Sequence, residues 1–223
     1  QFAGLIERII PERKPTYLQG LDEALLAEPN IAMTAVEATL TKEVFALLSR
    51  INVISGVGQR GDNVDMTELQ TALKETHAYV DRIELEKGEG DGWSRLVAII
   101  HTLDHMQRLY NRCKESTRAA AAKESEELFS DRQILTATIA NIIACIEDKQ
   151  WEHASVCAAD TAELLYKELK KRRDSIMTNV ASGVLNVPVA TKRLEAIRWL
   201  NRVSTHISRI TYHLKQAADS QAG

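Results

Sequence analysis

Long stretches of the chain repeat apolar residues every three or four positions, which is the period of an amphipathic α-helix. The first of these stripes contains Val36, Leu40, Val44, Leu47, Leu48, Ile51 and Ile54. The second contains Leu96, Ile99, Ile100, Leu103, Met106, Tyr110 and Cys113, and the last contains Leu194, Ile197, Leu200, Val203, Ile207, Ile210 and Leu214. The stripes predict long helices that bury one face each against a shared core.

Proline and glycine divide the first half of the chain into three predicted helices. The first is predicted from about Pro29–Ile31 to the glycines of residues 56–61, because proline is favoured in a first helical turn. The second is predicted from Asp65 to about Leu85, since a glutamate three residues after Asp65 completes a capping box. The third follows the segment KGEGDG at residues 87–92.

The second half contains a long stretch without helix-breaking residues. Neither glycine nor proline occurs from Trp93 to Ser182. All-β domains need frequent turns, so this stretch excludes an all-β fold and disfavours an α/β fold. Three further helices are predicted: one from about Glu124 to Asp148, one from Trp151 to about Ala181, and one capped by Asn186 with Pro188 in its first turn.

The chain also contains a weak internal repeat. A shift of about 94 residues places HTLDHMQRLYNRC at 101–113 on EAIRWLNRVSTHI at 195–207. We therefore predict an all-α fold of two tandem three-helix units packed as a six-helix bundle. The predicted segments are a linker at residues 1–29, a first unit at 30–118, a second unit at 119–217 and a tail at 218–223.

Composition excludes several classes of protein. The 223 residues carry 28 Lys and Arg against 31 Asp and Glu, and only 5% are aromatic. Nucleic-acid-binding proteins usually carry a basic excess, so no nucleic-acid partner is predicted. The three cysteines lack CxxC spacing, which disfavours a disulfide partner or a structural zinc site and fits a reducing compartment.

Few residues are arranged as in known catalytic or cofactor sites. GVGQRG at 56–61 has the spacing of a dinucleotide-binding loop, which requires a preceding strand. The preceding INVIS would suit a short strand, but the helical stripe favours a helix-ending loop. No Glu has a His three residues later, which excludes a di-iron bundle motif. We predict no catalytic residues, no cofactor and no enzymatic activity.

His101, Asp104 and His105 lie within one helical turn of each other. Such spacing is compatible with metal ligands, although a hydrogen-bonded cluster between helices is the favoured interpretation. A helical-bundle enzyme would have only this group as support.

A basic cluster lies on the fifth predicted helix. Its members are Lys167, Lys170, Lys171, Arg172 and Arg173. A solvated helix face with ion pairs four residues apart is the favoured interpretation, and anionic lipid headgroups or an acidic partner are the alternatives. Packing in the core or at an interface is predicted for Trp93, Trp151 and Trp199.

Two segments of the repeat resemble the PhoU-like domain. The third and sixth helices of that family carry an acidic motif, typically Asn-Asp-Leu-Glu-Arg-Ile-Gly-Asp-His-Ala, onto which residues 104–113 and 199–207 fall. The segment PTYLQGLDEALLAEPNIAMTAVEATLTKEV is similar to the one joining the membrane domain of bacterial sodium/phosphate cotransporter-type proteins to their C-terminal PhoU-like domain. The resemblance extends from about Pro15 to Leu214.

The chain departs from the PhoU-like motif at the positions where that family binds metal. PhoU-like proteins can bind metal clusters through the Glu and Asp of the motif, and the matching positions here are the neutral Gln107, Asn111, Asn201 and Thr205. Multinuclear sites need several carboxylates to offset the metal charge. We therefore predict that the chain lacks these clusters. The residues left as weak candidates for a metal site are His101, Asp104, His105 and His206.

The resemblance implies a soluble, non-catalytic regulatory domain of a sodium-dependent phosphate symporter, on the cytoplasmic face of the bacterial inner membrane. Its expected partner is the transmembrane domain of the same polypeptide, with a homodimer as a further possibility. The chain begins with Gln rather than Met, and an apolar stub at 1–10 would be the exit from the last membrane helix. The alternative is a stand-alone PhoU-like regulator that acts on a phosphate ABC transporter and a sensor kinase.

Overall fold

The computed structural model describes Tyr17 and residues 20–57, 64–86 and 90–221. These residues form seven α-helices and no strand, so the predicted all-α fold is confirmed. The helices are α1 (Pro29–Ser55), α2 (Met66–Val80), α3 (Gly90–Lys114), α4 (Ser116–Glu124), α5 (Phe129–Glu147), α6 (Trp151–Ala181) and α7 (Val187–Asp219). Short 3₁₀ helices occur at Glu23–Ala27 and Glu126–Leu128.

Local chemistry explains several helix boundaries as predicted. Pro29 is the first residue of α1, and Gly56 ends that helix with a φ of 70°, in the left-handed region that favours glycine. The Asp65 side chain accepts hydrogen bonds from two backbone N–H groups at the start of α2. Asn186 caps α7 in the same way, through a 3.0 Å bond from the N–H of Val189.

Some helix boundaries differ from the predictions, and one helix was not predicted. The second helix ends at Val80 rather than near Leu85, and α3 already begins at Gly90, inside the glycine-rich segment. The INVIS segment belongs to α1, as the helical stripe predicted, and the disfavoured alternative of a short strand is wrong. Six helices were predicted and the described residues form seven; the additional helix is α4. It is separated from α3 at Glu115, whose carboxylate forms ion pairs with an arginine on each of the two helices.

A single continuous hydrophobic core includes buried residues from all seven helices. In this core α3 packs against α7. α1 contacts α2 and α3, while α6 contacts α5 and α7. The largest side chain that is almost fully buried is Trp199 of α7. Trp93 is 62% exposed, so it does not pack in the core, and its alternative role at an interface stays a prediction.

The end of the predicted linker packs against the first helices. Leu21 is buried, and the hydroxyl of Tyr79 on α2 donates a 2.8 Å hydrogen bond to the carbonyl of Asp22. Arg82 forms a 2.8 Å ion pair with Glu23. This end of the linker is therefore fixed to α2. No helix within the described residues is long and apolar enough to cross a membrane.

Candidate functional site

Four histidines meet where α3 packs against α7. We call His101 and His105 of α3, with His206 and His213 of α7, the histidine cluster. The rings of His101 and His213 stack with their centroids 4.9 Å apart, and His105 lies 5.6 Å from His206 and 5.7 Å from His213. Three of the four, together with Asp104, are the metal candidates predicted from the sequence. The structure brings the three histidines together.

His105 and His206 make the closest polar contact of the cluster. Their Nδ1 atoms are 3.4 Å apart, so one ring must donate a proton and the other must accept it. This bond requires at least one neutral imidazole, because two fully protonated rings would present two donors to each other. The contact between His105 and His206 therefore favours states in which at least one of the two rings is neutral.

The surroundings of the cluster also disfavour protonation. The pKa of His206 is lowered to about 4, chiefly by burial. The neighbouring His105, Arg112 and Arg108 lower it further, and Asp104 offsets these effects only in part. Burial likewise lowers the pKa of His105 and of His213. At neutral pH these three imidazoles are therefore uncharged, and the α3–α7 contact carries no positive charge from them.

Asp104 is directed away from metal binding by its neighbour. Both carboxylate oxygens of Asp104 accept hydrogen bonds from Nε of Arg108, at 2.9 and 3.1 Å. Within residues 20–57, 64–86 and 90–221, no group of three or more His, Cys, Asp or Glu is arranged to hold a metal ion. In the same part of the chain, no Ser, Thr or Cys hydrogen-bonds to a ring of the histidine cluster. The geometry therefore offers a contact between helices rather than a nucleophile–base pair.

The four motif positions that matched the family's metal-binding acids lie on the same two helices. Gln107 donates a 3.4 Å hydrogen bond to Asn111 on α3. On α7, the hydroxyl of Thr205 donates to the backbone carbonyl of Asn201 at 2.8 Å. These positions present amides and a hydroxyl, none of which carries negative charge. The absence of the family's metal clusters stays a prediction.

Sequence reasoning missed His213. It lies seven residues after His206, so the two share a face of α7, just as His101 and His105 share a face of α3. The spacing was visible, but the meeting of the two faces depends on how α3 and α7 pack. His213 also forms a hydrogen bond within α7, because its Nδ1 lies 2.8 Å from Oε1 of Gln216.

The predicted basic cluster on α6 divides between two faces. Lys167 pairs with Glu163 at 2.5 Å, Lys171 pairs with Glu168 at 2.6 Å, and Arg172 pairs with Asp131 of α5 at 2.8 Å. Lys170 and Arg173 instead line a groove between α6 and α7. Most of the cluster is therefore neutralised by carboxylates, and its remaining cations face the groove.

Comparison with protein-family models, curated proteins and solved structures finds no match to this chain.

Acid should destabilise the fold through His206. Because its folded pKa is lowered, the unfolded chain binds more protons between about pH 6.5 and 4, so stability is lost as the pH falls through that window. We expect a loss of about 1–2 kcal/mol from this ring, after discounting for its partial exposure. His206→Gln should remove that loss. The measurement is the difference in the free energy of urea unfolding between pH 7 and pH 4.5, compared for the variant and the wild type.

The matched control is His153→Gln, which changes an exposed histidine on α6. The His153→Gln variant should lose as much stability between pH 7 and pH 4.5 as the wild type does. Equal acid sensitivity in His206→Gln and His153→Gln would contradict the role of the buried ring.

Proposed function

We propose that this chain is a non-catalytic regulatory domain of a bacterial sodium-dependent phosphate symporter. The observation that carries the proposal is the packing of α3 against α7. These are the two helices on which the PhoU-like resemblance places its repeated motif. Two repeated units joined through their third helices would require this contact, so the packing supports the tandem arrangement and, with it, the proposed family.

The described linker supports a mechanical connection to a membrane domain. The described part of the linker belongs to the segment, residues 15–44, that resembles the junction of cotransporter-type proteins. Leu21 and Asp22 attach the end of the linker to the bundle. A displacement of the linker would therefore reach α2 directly. α2 in turn contacts α1 and α3, and α3 contacts α7. In this proposal, the helix pair that holds the histidine cluster responds to the state of the transporter.

The histidine cluster suits regulation better than catalysis. Its rings contact one another across two helices, and the neighbouring carboxylate of Asp104 is held by Arg108. A contact that contains the uncharged imidazoles of His105, His206 and His213 can change when the helices shift, without any chemical step. The domain would therefore act through helix contacts, which is the mode expected of an interaction domain.

The test is phosphate uptake by the full-length protein that contains this chain. Sodium-driven uptake of radiolabelled phosphate would be measured in cells grown at low and high phosphate. We expect deletion of residues 16–223 to alter the uptake rate or its dependence on external phosphate. Tyr79→Phe, which removes the hydroxyl that binds the linker, should change regulation in the same direction but less strongly.

The matched control is Thr71→Val, which removes an exposed hydroxyl from the same helix, α2, where it bonds only to the backbone carbonyl of Thr67. Unchanged uptake in the deletion variant at every phosphate level would contradict the proposal. A coding sequence upstream of Gln1 that lacks apolar spans of about 20 residues would instead favour the stand-alone regulator.

A further inference from the structure

The α6–α7 hairpin ends in an exposed apolar tip. Residues 175–191 contain no charged side chain, and they form the last turns of α6, the connecting turn and the start of α7. Val184 is 77% exposed, Val187 is 63% exposed, and Val189 is also exposed. Surface valines occur singly in most soluble proteins, whereas here three lie within six residues at the end of two long helices. The tip therefore has the character of a docking surface.

A cationic groove continues from this tip along the hairpin. The groove has a volume of about 430 Å³ and includes Met177, which lies in the last turns of α6. Lys170 and Arg173 of α6 and Arg198 of α7 line it, and none of its lining residues is acidic. Tyr166 lines the far end and is exposed. We call these four residues, with Met177, the groove face.

The cations of the groove face are weakly neutralised. Lys170 makes no ion pair or hydrogen bond within the described residues, Arg173 is 3.8 Å from Asp174, and Arg198 is 3.4 Å from Glu195. By contrast, Lys167 and Lys171 on the same helix hold their carboxylates at 2.5 and 2.6 Å. The groove face therefore has positive charge available for an external anion, and the rest of the basic cluster does not.

We propose that the α6–α7 hairpin docks on a bilayer surface that contains anionic lipids. An apolar tip, cations set back from it and an exposed tyrosine are the features that place a protein at the level of the headgroups. The tip at Val184 lies about 11 residues beyond Arg173, which corresponds to roughly 12–16 Å along the hairpin. Because the headgroup layer is only about 5–8 Å thick, the hairpin would tilt toward its groove face. The long side chains of Lys170, Arg173 and Arg198 would then reach lipid phosphates while the valines reach the acyl boundary.

A membrane surface fits these observations better than an acidic helix of a partner protein. A helix seated in the groove would satisfy the cations and the apolar floor, but it would leave Val184 and Val187 in water beyond the end of the groove. The bilayer covers both regions at once. This assignment goes beyond the proposed function, because it requires neither sodium nor phosphate.

The experiment is vesicle flotation with the purified chain. Vesicles of phosphatidylcholine alone are compared with vesicles of equal parts phosphatidylcholine and phosphatidylglycerol. We expect binding to the mixed vesicles only, weakening as salt is added. Each cation near an anionic surface contributes about 1 kcal/mol, so Lys170→Glu with Arg173→Glu should weaken binding about 30-fold or more. Val184→Asp with Val187→Asp should weaken it at least about tenfold.

The matched control reverses the same charges on the other face of α6. Lys167→Glu with Lys171→Glu should stay within about threefold of the wild type. All four changed positions on α6 are exposed, so we expect the variants to fold. Circular dichroism checks that they retain the helical content of the wild type. Equal losses in the control pair and the groove pair would overturn the proposal, as would full binding by the valine variant or no binding by the wild type.

Two further results identify a different occupant. A wild-type dimer in sedimentation that the valine variant loses, without vesicle binding, would mean that a second copy covers the tip. Altered phosphate uptake in the groove variant without vesicle binding would mean that the groove contacts protein. Either result overturns docking on lipid and leaves the regulatory proposal standing.

Discussion

Replacing Trp199 with alanine will lower the free energy of unfolding by about 3–5 kcal/mol. Trp199 lies on α7 and is 1% exposed, and its indole Nε1–H donates a 3.0 Å hydrogen bond to the carbonyl of Arg112. Arg112 is in the last turn of α3, where carbonyls have no partner within the helix. The substitution would open a cavity between α3 and α7. It would also remove one of the two hydrogen bonds to the carbonyl of Arg112, leaving only the 3.3 Å bond from the backbone N–H of Glu115.

Trp199→Phe separates these two effects. Phenylalanine retains much of the packing but cannot donate to Arg112, so we expect a loss of about 1–3 kcal/mol, below that of the alanine variant. Urea unfolding followed by circular dichroism measures both. Trp93→Ala is the matched control, because the exposed Trp93 contributes little to the core, and it should change stability by less than about 0.5 kcal/mol. Equal losses for Trp93→Ala and Trp199→Ala would contradict the role of α3–α7 packing.

The helices could be predicted because local signals set their limits. Proline, glycine and capping side chains define the ends of α1, α2 and α7, and each of these residues works within its own turn. The break between α3 and α4 has no such signal, since it lies in the stretch without glycine or proline. It depends on Glu115, which pairs with arginines on both sides. The α5–α6 turn likewise uses Lys149, with a φ of 57°, in place of glycine.

The histidine cluster could be predicted only in part. His101 and His105 are four residues apart on one helix, and a sequence reveals that spacing directly. Their approach to His206 and His213 depends on which faces of α3 and α7 pack together, and that choice is made by the whole core. The same limit applies to the groove face, because Arg198 joins Lys170 and Arg173 only through the packing of α7 on α6. The basic run of α6 was visible, but its division between two faces was not.

One core position broke the apolar pattern of α1 and was not recognised in the sequence. Glu43 lies three residues after Leu40 and four before Leu47, which places it on the buried face of the helix. It is 0% exposed. Thr76 of α2 donates a 2.8 Å hydrogen bond to its Oε1, while Oε2 has no hydrogen-bond partner within the described residues. A charged carboxylate at this point would be poorly solvated.

Burial raises the pKa of Glu43 to about 7, and the hydrogen bond from Thr76 offsets this effect only in part. Between about pH 4.5 and 7, the folded protein therefore binds a proton that the unfolded chain releases. The linkage relation then gives a stability that is present at low pH and is lost as the pH rises through this window. The pH dependence is opposite to that of His206, whose contribution is lost in acid.

Glu43→Gln should isolate this effect, because the amide keeps the size and the acceptor for Thr76 but does not ionise. We expect the variant to become more stable relative to the wild type by about 2–3 kcal/mol between pH 5 and pH 8. Urea unfolding at both pH values measures the change. Glu75→Gln removes an exposed carboxylate from α2 and is the matched control. A difference between Glu43→Gln and wild type that stays constant with pH would mean that Glu43 is ionised in the folded protein throughout this range, with its charge stabilised despite the burial.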